Sequence, residues 1–138
     1  MRLIATAATA LLAALAPTTS AAQAAAPTPS GSVRIFEIRN EGGDAVTVVG
    51  SVRCRSNDNV TLKVMVSQTV SPNGDEPAPF GESSTTVTCT PNIEDRFMRV
   101  PILRDGPVTP GRMMVVATDM YNSAGRRIDT SNTMLPIY

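Results

Sequence analysis

The chain has no histidine, no tryptophan and only two cysteines among its 138 residues. Each absence removes a class of function. Without imidazole there is no Ser-His-Asp or Cys-His catalysis, no histidine-ligated zinc and no side chain that titrates near neutral pH by default. Positive charge is in short supply as well. Twelve basic side chains face 12 acidic ones, and lysine occurs once, as Lys63. No block of cations is present that would hold nucleic acid by counterion release. Beyond the N-terminal segment, no hydrophobic run reaches bilayer length. Aromatic residues are few: Phe36, Phe80, Phe97, Tyr121 and Tyr138.

What is present begins with an export signature. Met1-Arg2-Leu3 gives a positive start, and Leu3 to Ala16 is apolar apart from Thr6 and Thr9. Pro17 to Ser20 interrupts the run, and Ala22-Gln23-Ala24 fits the small-x-small cleavage pattern. Residues 1–24 are read as a signal peptide, 25–31 as a flexible Pro/Ser/Ala-rich leader and 32–138 as one domain. The protein is expected to be secreted and extracellular. Without Arg2 the remainder is close to neutral. An exported chain meets an oxidising compartment, so Cys54 and Cys89 are expected to form a disulfide. That bond closes a loop of about 36 residues and contributes roughly 3–4 kcal/mol on the chain-entropy model.

The remainder reads as all-β. Short Val/Thr/Ile/Met stretches alternate with Gly, Pro, Asn and Asp turn signals. Seven strands are expected: Ser32–Ile38, Ala45–Cys54, Val60–Val70, Ser83–Cys89, Arg96–Leu103, Arg112–Tyr121 and 126–137. The third has the clearest period of two. Val60, Leu62, Val64 and Val66 point one way, and Thr61, Lys63, Met65 and Ser67 point the other. Gln68 falls on the inward face and needs a polar partner there. Seven such strands fit an immunoglobulin-like or fibronectin-like antiparallel sandwich. Strands two and four run in the same direction. Cys54 and Cys89 therefore lie at one end of the sandwich, tying two strand ends together. Met113, Met114, Met120 and Met134 are read as core filler.

Several residues follow one another in a recurring order. They are Gly50-Ser51-Val52-Arg53-Cys54, then Gln68, then Thr88-Cys89, then the aromatic Phe97, then Pro110-Gly111. This pattern resembles a group of small secreted actinobacterial β-sandwich proteins of uncharacterised function. The resemblance covers residues 45–121. It implies an all-β sandwich with one disulfide and supplies no site.

The loops sort to two poles. One pole carries residues 55–59, 90–95 and 122–127, and gathers Asn57, Asp58, Asn59, Asn92, Glu94 and Asp95. Calcium takes six to eight such oxygen ligands, but no D-x-D-x-D-G spacing is present. The group reads as ordinary turn chemistry, and neither metal nor cofactor is expected. Arg126, Arg127 and Arg55 read as a solvated basic spot. The other pole carries residues 39–44, 71–82 and 104–111. Its long loop, SPNGDEPAPFGE, is the candidate binding element, with Asn73, Asp75, Glu76 and Phe80 as contacts. Asp75-Glu76 and Glu94-Asp95 are adjacent carboxylates. Glycoside chemistry needs two carboxylates facing each other across a cleft, and strand neighbours point apart. The expectation is a non-enzymatic, monomeric module. It binds a protein or cell-envelope component and neither nucleic acid nor membrane. The alternative is a protease inhibitor presenting the 71–82 loop.

Overall fold

The computed structural model describes residues 30–69 and 78–138. The expected signal peptide, most of the leader, and Asn73, Asp75 and Glu76 lie outside the described residues. Seven strands form, in chain order β1 (Gly31–Asn40), β2 (Ala45–Cys54), β3 (Asp58–Gln68), β4 (Phe80–Cys89), β5 (Glu94–Arg104), β6 (Met113–Tyr121) and β7 (Arg127–Pro136). The bounds of β2 match the expectation. β4 and β5 begin earlier than expected, so Phe80, Glu82, Glu94 and Asp95 are strand residues rather than loop or turn residues. Local alternation could not reveal this, because these segments are held by pairing to distant strands.

All paired strands are antiparallel, in the order β1-β2-β5-β4-β3-β6-β7. The β4–β5 link is narrow, with only Phe80 opposite Arg104 and Gly81 opposite Ile102. A Cβ on Gly81 would collide with the Pro101 carbonyl. The absence of a side chain there is what lets β4 cross to β5 at all. Beyond this seam the sheet divides into two layers, β1-β2-β5 and β4-β3-β6-β7. Their inner faces share one core that includes Val33, Ile35, Ile38, Val46, Val48, Leu62, Val64, Val100, Met114 and Val116. This is the expected sandwich in its fibronectin-like form. β4 lies beside β3, whereas an immunoglobulin constant domain places its fourth strand with the first, second and fifth.

On the opposite side, β1 and β7 close the layers without a regular ladder. The Asp129 carboxylate accepts from the Val33 N–H at 2.8 Å, and the Tyr138 carbonyl accepts from the Asn40 N–H at 2.9 Å. The result is close to a barrel.

The expected register of β3 holds. Val60, Leu62, Val64 and Val66 are buried, while Lys63 and Met65 are exposed. Cys54 and Cys89 are bonded, with Cα atoms 5.6 Å apart, at the shared end of β2 and β4. The bridge joins the two layers where no strand pairing does. Gln68 is buried, and its side-chain amide is held at both atoms. Nε2 donates to the Thr109 carbonyl at 2.6 Å, and Oε1 accepts from the Thr109 N–H at 2.8 Å. The methionines divide. Met114 and Met120 are core residues, but Met113 and Met134 are exposed, contrary to expectation. Both lie on strands with two-residue alternation, and Met113 must face opposite to Met114.

Thr118 is buried at the centre of β6, and its Oγ1 has no hydrogen-bond partner among the described residues. Its desolvation is uncompensated. Thr118→Val is therefore expected to raise the unfolding free energy by about 1 kcal/mol. A urea midpoint at or below that of the parent protein would refute this.

Candidate functional site

Of the loop contacts expected from sequence, Phe80 alone is described. It is half-buried at the start of β4, with the Arg104 guanidinium 4.5 Å from its ring centroid. Three of the six oxygen donors at the first pole, Asp58, Asn59 and Glu94, are internally engaged. The Asp58 carboxylate accepts from the Asn59 N–H at 2.8 Å and from the Ser123 N–H at 3.4 Å. Hydrogen bonding from the Ser123 side chain, with these backbone donors, holds its carboxyl below the usual range. Asn59 Oδ1 accepts from the Thr88 hydroxyl at 3.3 Å, and Glu94 pairs with Arg96 at 3.0 Å. Among the described residues, no three His, Cys, Asp or Glu side chains converge to hold a metal ion. Arg127 stands 3.8 Å from Asp119.

The outer face of the four-strand layer carries an open groove lined by Lys63, Met65, Glu82, Ser84 and Asp119. Asp119 lies directly opposite Lys63 in the register, and Lys63 also stands 4.9 Å from the Tyr121 ring centroid. The ammonium rests over the Tyr121 ring on the strand that carries Asp119, a solvated arrangement.

The outer face of the three-strand layer is different. Pairing places Arg34, Ser51 and Asp95 in one cross-strand row, Glu37, Val49 and Phe97 in the next, and Arg39, Thr47 and Arg99 in a third. Arg53 lies one row further on, beside Ser32. The register of β1 slips between Ile35 and Glu37, and this bulge inserts Phe36 as an extra residue. Ile35 and Ile38 both stay in the core, while Phe36 turns outward and is 50% exposed. Gly50 opposes the bulge, and a Cβ there would strike the Arg34 carbonyl and the Ile35 side chain. The glycine of the Gly50…Cys54 pattern therefore makes room for the kink that presents Phe36.

Phe97 is 62% exposed and Ile93, just before β5, is 69% exposed. Val49 also points outward, yet only 2% of it is accessible. Arg39 explains part of the cover. Its guanidinium reaches across from β1 to stand 5.6 Å from the Phe97 ring centroid. It also makes a two-pronged pair with Glu37 at 2.7 and 3.1 Å. That pairing holds the Glu37 carboxyl below its usual range. The surface is a sheet-borne apolar strip, Phe36–Val49–Phe97 with Ile93 at its end, bordered by guanidinium groups. The Arg53 Nε is engaged with the Pro91 carbonyl at 3.0 Å. The Arg34 and Arg99 guanidiniums make no ion pair or hydrogen bond with the described residues.

Sequence reading passed over this face. Phe36 and Phe97 enter there as two of five aromatics, two or more of which a carbohydrate-stacking platform would need on one exposed face, and Phe97 also as part of a pattern. A signal was available: apolar spacing in β1 runs Val33, Ile35, Ile38, and the step of three breaks the period of two at the bulge.

No protein-family model matches the chain, and no curated protein sequence matches it. Solved structures do. A β-glucuronidase from glycoside hydrolase family 2 superposes with a TM-score of 0.50 at 19% identity, over 80% of this chain and 11% of that one. Spo0M, a sporulation control protein from Bacillus subtilis, gives a TM-score of 0.39 at 12% identity, over 78% of this chain and 48% of that one. A Bacteroides uniformis β-glucuronidase gives 0.44 at 11% identity, over 78% and 13%. The chain spans about a ninth of the first glucuronidase, and that likeness concerns the fold alone.

Proposed function

We propose that the protein is a secreted, non-catalytic binding module that holds a cell-envelope component on the outer face of the β1-β2-β5 layer. One observation carries this reading: Phe36 and Phe97 stand exposed on either side of the covered Val49, on a rigid sheet. Exposed rings grouped on one sheet face mark a contact surface. Export is supported by the N-terminal signature and by the Cys54–Cys89 disulfide, a bond that persists in oxidising compartments. The non-catalytic reading rests on the lack of histidine and on adjacent carboxylates that diverge along β5. The module acts as a monomer.

Co-sedimentation with purified cell envelopes of the source organism tests this. Residues 25–138 are expected in the pellet. Phe36→Ala/Phe97→Ala is expected to bind at least about tenfold more weakly, each tenfold being about 1.4 kcal/mol. Deletion of residues 71–77 is expected to leave binding intact. Loss on loop deletion with full retention in the double Phe variant would move the site to the loop. An empty pellet for the parent protein would overturn envelope binding.

A further inference from the structure

We infer that the ligand of this face is an acidic polysaccharide, bound with its carboxylates on Arg34 and Arg99 and its sugar rings on Phe36 and Phe97; this deepens the envelope-binding reading and rests on it. Hydrogen-bonding capacity on the face is lopsided. Arg34, Arg39, Arg53 and Arg99 supply planar forks of N–H donors. The carboxylates that face them are Glu37, Asp95 and, at the turn, Glu41. Glu37 is consumed by Arg39, and Glu41 accepts from the Thr47 hydroxyl at 2.6 Å. Asp95 is left against the open guanidiniums of Arg34 and Arg99 and the remaining N–H groups of Arg53. A complementary ligand must therefore bring acceptors, and guanidinium forks match paired anionic oxygens best.

Shape narrows the class further. The face is an open sheet surface with one shallow hollow, lined by Ser32, Arg34, Ser51, Arg53 and Ile93, so it suits an extended ligand. Phe36 and Phe97 stand two strands apart, roughly 10 Å at the spacing of neighbouring strands. Arg34 and Arg99 lie at diagonal corners with both rings between them. Reaching all four groups takes a chain of several residues, not one small anion. The rings demand apolar faces along that chain, and the C–H faces of pyranose rings offer them next to carboxylates. Ser51, on the central strand, places a hydroxyl in the row between Arg34 and Asp95.

Affinity electrophoresis in native gels tests the assignment. The gels contain polygalacturonate, neutral mannan or polyglutamate, and the proteins are residues 25–138, Arg34→Ala/Arg99→Ala and Phe36→Ala/Phe97→Ala. All four substituted side chains are exposed, and matching thermal midpoints will show that the variants fold. Polygalacturonate is expected to retard the parent protein, with each double variant at least about tenfold weaker. Mannan and polyglutamate are expected to retard it little. Equal retardation of the Arg variant, or equal retardation by mannan, would overturn the carboxylate contact. Equal retardation by polyglutamate would overturn the sugar contact and leave charge alone. No retardation by polygalacturonate, with envelope binding still sensitive to the Phe variant, would discard the ligand class and keep the face. Loss of both would discard both.

Discussion

Cys54→Ala/Cys89→Ala is expected to lower the unfolding free energy by about 3–4 kcal/mol, and the urea midpoint by on the order of 2 M. The bridge closes a loop that contains β3 and β4. Opening it releases that stretch in the unfolded chain, which is where most of the effect arises. A native-state contribution adds to it. β2 and β4 belong to different layers, and the β4–β5 seam lies at the far end of β4. Without the bridge, the disulfide pole keeps the Cys54 N–H to Thr90 carbonyl bond at 2.8 Å and the Arg96 side-chain bond to the Thr88 carbonyl at 2.8 Å. A midpoint shift below about 0.5 M would mean that the unbridged chain retains structure around those contacts.

Gln68→Leu is expected to cost about 2–3 kcal/mol by the same measurement. Leucine is close enough in size to fill much of the space, so the loss isolates the two hydrogen bonds to Thr109. Both Thr109 backbone groups lose partners that the fold had positioned for them. Gln68→Glu separates hydrogen bonding from packing. An ionised glutamate still accepts from the Thr109 N–H but cannot donate to its carbonyl. Its carboxyl is therefore pushed above the usual glutamate value of about 4.3 in the folded state. A folded pKa above the unfolded one makes the protonated form the stabilising one. Gln68→Glu should thus approach the parent protein in acid and lose ground as pH rises from the ordinary carboxylate range through the raised folded-state value. A loss independent of pH would show that the amide acts through packing alone.

The strands were legible from sequence wherever a period of two was unbroken. β3 alone set which residues face the core and demanded a partner for Gln68. It could not say that the partner would be the backbone of Thr109, because that depends on how the loop before β6 folds back. The start of β4 was missed for a related reason. Phe80-Gly81 has loop composition, and only pairing with Ile102 and Arg104 makes it strand. The site was less legible still. The Pro- and Gly-rich 71–82 loop stands out in the sequence, and most of it lies outside the described residues, whereas the exposed rings lie on strands. Exposure at Phe36 follows from a bulge, and at Phe97 from which face of β5 looks outward.

The closure of β1 against β7 has a mechanical consequence. Every strand pairing in the sheet is antiparallel, so β1 and β7 run parallel. The chain enters β1 at the disulfide pole and leaves β7 at the opposite one. Tension applied at Gly31 and Tyr138 would therefore run along the two strands and load the Asp129–Val33 and Tyr138–Asn40 bonds together, in shear. A hairpin pulled at its open end gives way one bond at a time. Here both clasps must yield at once, so resistance is not spent one bond at a time from either end.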